Sequence, residues 1–271
     1  MKVRLSVLGL ILALLLAQGG CAWNPKTVTV GGQTVVVDSS VPGSTLDAGD
    51  FSRRKDGTIA YSGGKYLTGI DVSAHQGKIN WKKVAEKVDF AMIRVGYRGY
   101  TKGVLAEDNA FVYNIKHALK NGLQVGVYFF SQAVSPKEAV EEAEYLLARI
   151  KKYNITLSVA YDWELIDNVE PGTARTESVS EDTMTQCAAA FCDVIRKAGY
   201  QPALYCNGMQ GYLSYDLAQL SDVELWYANY DSVSPDFAYQ IRMWQYTDAG
   251  KLEGVEGKVD YNLYFCDTAA E

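Results

Sequence analysis

The chain has 271 residues, 48% hydrophobic and 21% charged, enough for one large barrel-sized domain with a substantial core. Its formal charge of −6, or −8 once Lys2 and Arg4 are set aside with the leader, leaves no basic patch and excludes nucleic acid as a partner. His75 and His117 are the only histidines and no C-x-x-C occurs, so no metal site is expected.

The N-terminus carries Lys2 and Arg4, then a 13-residue apolar run from Leu5 to Ala17, then small residues up to Cys21. Residues 1–21 therefore read as an export signal or an uncleaved N-terminal membrane anchor, which puts the protein outside the cytoplasm, anchored or secreted. Cys21 after Gly19 and Gly20 resembles the lipidated cysteine of bacterial lipoproteins, although Gln18 stands where that motif usually has Leu. Lipidation, simple cleavage and retention all stay open. Residues 22–66 have a different texture and read as a spacer. TVTVGGQTVVVD alternates about Gly31 and Gly32 like a small hairpin, and SSVPGSTLDAGDFSRRKDG looks like a polar connector.

From residue 67 to 271 the pattern is that of a barrel domain. LTGIDVS, FAMIRVGY, LQVGVYFF, TLSVAYDWE and QPALYC read as strands. Helical stretches alternate with them, near 81–88, over 107–121 with a stop at Gly122, from the capping box Ser135 to Glu138 to about Tyr153, and over 181–198 before Gly199. Such alternation predicts an α/β fold with a parallel sheet. ELWYANY, QIRMWQY and KVDYNLYF then follow with little room for helices, so the last strands lack crossover helices. Cys187, Cys192, Cys206 and Cys266 allow three pairings. Cys187 and Cys192 are five apart on a predicted helix and face each other poorly, so free or singly paired thiols without a catalytic role are expected.

The strand LSVAYDWE ends in two acids. Side chains i and i+2 share a face of a strand, about 6.5–7 Å apart, so Asp162 and Glu164 should sit side by side and one should hold its proton, as glycoside cleavage requires. A second D-x-E, Asp222 and Glu224, precedes its apolar run and reads as surface. Active sites of such barrels lie at the C-terminal ends of the strands. Asp71, Tyr97, Tyr128, Trp226, Gln245 and Asp260 all fall in strands that lead to that mouth. For Tyr97, Tyr128 and Trp226 the alternative to stacking on sugars is packing a barrel layer, and Gln245 either binds an acetamido group or satisfies backbone. The 19 Tyr and 5 Trp suit a carbohydrate cleft.

GIDVSAHQGKINW (69–81), AYDWE, LWYANY and MWQYTDAGKLEGVEGKVDYNLY (243–264) resemble, in order, the segments of glycoside hydrolase family 25, the lysozymes of bacterial peptidoglycan. The resemblance implies an irregular (β/α) barrel of about eight strands with fewer helices. It also implies N-acetylmuramidase activity, peptidoglycan glycan strands as the partner, no cofactor and a monomer. Residue by residue, Glu164 matches the general acid and Asp162 its partner, as nucleophile or as stabiliser of an oxazolinium ion. Asp71 and Asp260 match the flanking carboxylates. Two alternatives are a chitinase-like enzyme, whose D-x-D-x-E would need an acid where Ala160 stands, and an inactive wall-glycan-binding protein on the same scaffold, which would be expected to lose Glu164.

Overall fold

The structure, a computed structural model, describes residues 26–166, 169–230 and 232–266, so the expected export signal or anchor of residues 1–21, with Cys21, lies outside the described residues. β1 (Thr27–Val30) and β2 (Gln33–Val36) form a hairpin whose turn residues Gly31 and Gly32 have φ of 57° and 78°. Positive φ at both central positions is the type I′ turn, which glycine adopts without strain. A second hairpin joins β3 (Phe51–Arg53) to β4 (Ile59–Tyr61).

The barrel elements follow as β5 (Tyr66–Val72), α1 (Trp81–Val84), β6 (Phe90–Arg98), β7 (Leu105–Glu107), α2 (Phe111–Lys120), β8 (Gln124–Ser131) and α3 (Pro136–Ile150). Next come β9 (Val159–Trp163), α4 (Glu181–Lys197), β10 (Pro202–Asn207), α5 (Gly208–Leu213), β11 (Glu224–Ala228), β12 (Met243–Gly250) and β13 (Val259–Phe265). In the order β5, β13, β12, β11, β10, β9, β8, β6 these strands close on themselves through a β5–β6 pairing, and β7 hangs antiparallel on β6. The seven strands from β5 to β12 around the wall are parallel, and β13 runs antiparallel to both its neighbours. The result is the irregular α/β barrel of eight strands. Among the described residues no α-helix lies between β11 and β12 or between β12 and β13.

Strand alternation divides the apolar residues into two cores. Phe90, Met92, Ala160, Ala203, Trp226 and Met243 fill the barrel, while Val159, Tyr161, Trp163, Leu204 and Trp244 face outward toward the helices and loops. Gly69 is needed on β5 because a Cβ there would collide with the Phe90 ring inside the barrel. Ser135 caps α3 by accepting from the Glu138 N–H, yet only half of the expected capping box forms. The Glu138 carboxylate turns instead to the Val134 N–H and to Arg175. The helix expected from residue 107 begins at Phe111, because 105–107 pair with β6 and the Asp108 carboxylate is occupied by Arg94 and the N–H groups of Ala74 and Ala110.

The reading of residues 22–66 as a spacer needs correction between 37 and 61. Val41, Phe51 and Ile59 are buried in the outer core. The Phe51 ring stands edge-on to Trp244 and Phe265 at 5.6 and 6.0 Å and tilted against Tyr61 at 4.7 Å. Gly43 bridges to Tyr239, and the Ser44 N–H donates to the Ala238 carbonyl. The physical reason is the missing crossover helices. The outward side chains of β12 and β13 would meet water, and this segment covers them as a strap.

Candidate active site

The C-terminal ends of the strands open on a cleft of about 410 Å³ whose lining includes Asp71, Asp162, Glu164 and Asp260. Asp71 on β5 and Asp260 on β13 are paired opposite each other in the antiparallel register. Asp162 is the fourth residue of β9, with Ala160 two residues deeper inside the barrel, and Glu164 follows directly after the strand. Trp163 between them is buried on the outer face, where its Nε1 donates to the Ala133 carbonyl at 3.0 Å. Strand alternation sends Trp163 and Glu164 in opposite directions, so Trp163 does not cover Glu164, which is half-buried facing the cleft.

The four acids form two hydrogen-bonded pairs. Asp162 and Glu164 share one bond, Asp71 and Asp260 the other. Burial pushes Asp162 well above the usual carboxylate range, and the charge of Glu164 and their hydrogen bond act in the same direction. Burial and the neighbouring carboxyl group thus favour a proton held within the pair. Burial also raises Asp71, to about 6, against the opposing hydrogen bonds from Gln245, Asn262 and Asp260. Asp260 rises to about 9 through burial, then through the charge and hydrogen bond of Asp71.

Asp71 is the anchor of a wider network. Its Oδ2 accepts from Gln245 Nε2 and Asn262 Nδ2, both at 2.8 Å. Gln245 Oε1 accepts from the hydroxyls of Tyr205 at 2.8 Å and Tyr230 at 2.6 Å, and Asn262 Oδ1 accepts from Trp226 Nε1 at 2.8 Å. Gln245 thus uses both ends of its amide inside the protein. Trp226 is only 2% exposed and packs edge-on against Tyr128 and Tyr205 at 5.7 and 4.9 Å, so Trp226 and Tyr128 make the floor of the cleft. Tyr97 does not line the cleft. It lies 37% exposed at the rim, with the Arg94 guanidinium 5.6 Å from its ring.

Arg94, Tyr205, Tyr230 and Asn262 were absent from the sequence reading, yet Arg94, Tyr205 and Tyr230 line the cleft and Asn262 holds Asp71. Arg94 is held by Asp108 at 2.8 Å and its charge opposes the rise of Asp162. His75 sits exposed at the cleft edge, and the His117 ring lies tilted against Tyr113 along α2 with centroids 4.1 Å apart. The second D-x-E lies at the opposite end of the barrel, where Asp222 is exposed but Glu224 is half-buried. There Glu224 pairs with Arg242 at 2.9 Å and accepts from Ser158. Cys187, Cys192 and Cys206 are buried free thiols, and Cys266 is exposed.

A closed α/β barrel that presents coupled carboxyl pairs in a cleft lined by aromatic rings is the arrangement of a glycoside hydrolase. The chain belongs to glycosyl hydrolases family 25, whose family model matches residues 70–255. It is similar to the uncharacterized protein YegX of Escherichia coli strain K12, 27% identical over 207 residues that make up 73% of this chain and 69% of that protein. Lysozyme M1 of Streptomyces globisporus is 25% identical over 238 residues, 82% of this chain and 76% of the relative. Among solved structures, the modular autolysin LytC of Streptococcus pneumoniae, in complex with a synthetic peptidoglycan ligand, matches with a TM-score of 0.64 and 25% identity. The match covers 88% of this chain and 58% of LytC.

Proposed function

We propose that this protein is an exported lysozyme that hydrolyses the β-1,4 bond between N-acetylmuramic acid and N-acetylglucosamine in bacterial peptidoglycan. Family membership, the lysozyme among its relatives and the peptidoglycan ligand of LytC support the substrate. The hydrogen-bonded pair of Asp162 and Glu164, opening on the cleft, carries the chemistry.

Glu164 is the member of the pair past the strand end and donates the proton to the leaving glycosidic oxygen as the bond to the anomeric carbon breaks. Loss of that proton leaves both acids anionic beside the developing positive charge, which they stabilise. Asp162 Oδ1 is buried without a hydrogen-bond partner, which suits an acceptor for the N–H of the substrate acetamido group. The acetamido oxygen then attacks the anomeric carbon and forms an oxazolinium ion. Water opens that ring while the Glu164 carboxylate takes the proton of the water, so configuration is retained. Asp71 and Asp260 keep negative charge close to the pair; the Asp71 charge is one of the influences that raise Asp162.

Export rests on the apolar leader, and attachment to the membrane on that segment or on lipidated Cys21. Digestion of purified peptidoglycan followed by borohydride reduction tests the activity. Muramitol is expected at the new ends. Glucosaminitol alone would make the enzyme a glucosaminidase, and no new ends would make it a glycan-binding protein.

A further inference from the structure

β9 outruns its neighbours. β10 pairs with it only as far as Tyr205 opposite Asp162, and β8 as far as Ser131 opposite Trp163. The main-chain carbonyls of Trp163 and Glu164 therefore lie at or beyond the last rungs of the sheet, where a polar group out of water must find another partner. Two side-chain amides supply it. Gln210 Nε2, from the first turn of α5, donates to the Trp163 carbonyl at 2.7 Å. Gln132 Nε2, just past β8, donates to the Glu164 carbonyl at 2.6 Å and to the Ser131 carbonyl at 2.9 Å.

Gln132 is fully buried, and its other end is also fixed. Its Oε1 accepts from Thr176 Oγ1 at 3.2 Å, and Thr176 is itself buried. Arg175 donates to the Gln132 carbonyl at 3.2 Å and forks onto the Glu138 carboxylate at 2.9 and 2.6 Å. The amide thus has a single orientation, set from α3 and from residues 175–176, and its donor lands on the main chain of the acid.

On the reading of Glu164 as the proton donor, we propose that Gln132 is a positioning residue for that acid. Without these amides the peptides that flank Glu164 would lie unheld past the last rung, and a turn there would swing the carboxyl group away from Asp162. The Gln132 bond replaces the missing rung and keeps the carboxyl group aimed into the cleft. Misplacement of a reacting group by about 1 Å can cost about a hundredfold in rate.

The test is Gln132→Met, which keeps length and volume but removes the donor, with Thr176→Val as a milder variant that frees the far end of the amide. Both are expected to fold. On peptidoglycan, kcat should fall roughly 10–100-fold for Gln132→Met and less for Thr176→Val, with KM within about twofold. The basic limb of the pH profile should move to lower pH, because a carboxyl group released toward water loses its proton more easily. Gln132→Glu should recover part of the lost kcat on the acidic side only, where its carboxyl group can still donate. Variants with a lowered melting temperature but wild-type kcat and pH profile would reduce Gln132 to a structural role and overturn the proposal, and if Gln132→Met does not fold, Thr176→Val decides on the same readouts. Glu164→Gln is measured alongside. If it stays active, the acid itself is misassigned and the proposal falls with it. If it is inactive while Gln132→Met turns over normally, the positioning proposal alone fails.

Discussion

Asp71 and Asp260 face each other across the β5–β13 seam with their carboxyl groups hydrogen-bonded, while Gln245 and Asn262 donate only to Asp71. The donors favour the anion at Asp71 and leave the proton on Asp260, in line with values of about 6 and about 9. Holding one proton between two buried acids costs stability as the solution becomes basic.

Both carboxyl groups are raised above their unfolded value, so the folded state binds more protons than the unfolded one between the two. Their contribution is fully present below about pH 4 and is lost as pH rises through about 6 and on toward 9. Asp260→Asn keeps a donor toward Asp71 and removes the second charge. At pH 8.5 it should gain on the order of 1 kcal/mol, or roughly 2–4 °C in melting temperature, and at pH 4 it should gain nothing. Thermal unfolding at the two pH values decides; an equal gain at both would point away from ionisation.

For the catalytic pair, Glu164→Gln keeps shape and hydrogen-bonding capacity and removes the acid. Turnover of peptidoglycan should fall about 10²–10⁴-fold with binding largely kept. Asp162→Asn removes the neighbouring charge that helps Glu164 hold its proton, so the basic limb of the activity profile should shift to lower pH as turnover slows. Steady-state rates from pH 4 to 9 separate the two, and a profile for Asp162→Asn that overlays the wild type would refute the shared proton.

Phe51 tests the strap. It is 7% exposed and touches Trp244, Phe265 and Tyr61, so Phe51→Ala should destabilise the whole barrel by roughly 3–5 kcal/mol. Urea unfolding measures it. A change under about 0.5 kcal/mol, as for a surface site, would return residues 37–61 to the status of a linker.

Cys21 tests attachment. If it is lipidated, wild-type protein should sediment with membranes and Cys21→Ala should be released. Unchanged partition of the variant would assign the attachment to the apolar run from Leu5 to Ala17, and a freely soluble wild type would exclude both.

The strands were legible because each is a short apolar run closed by a turn, and the rule that acids gather at strand ends placed Asp71, Asp162, Glu164 and Asp260 in one cleft. Tyr205 was within reach of the same rule, since it is the penultimate residue of QPALYC, much as Tyr128 sits near the end of its strand. Gln132 was not, because its partner is the main chain of Glu164, and no side-chain pattern records such a bond. The strap escaped for a similar reason. Val41, Phe51 and Ile59 stand apart with mostly polar residues between them, so no amphipathic stretch joins them, and what they fit is a gap between distant strands. Gln245 and Trp226 were found for their position, but the structure turns their polar groups toward Asp71 and Asn262.

The closure of the barrel by β13 also has a kinetic side. β5, near the start of the wall, pairs with β6 on one edge and with β13, almost two hundred residues later, on the other, and the strap packs on β12 and β13 as well. Contacts of such long sequence separation form late and slow folding. Until β13 arrives, the chain holds two open sheet edges and an unplaced strap, so neither part can complete its structure before the other. Ordering of Phe51 and formation of the Asp71–Asp260 pair should therefore coincide in time, as a single last step of folding.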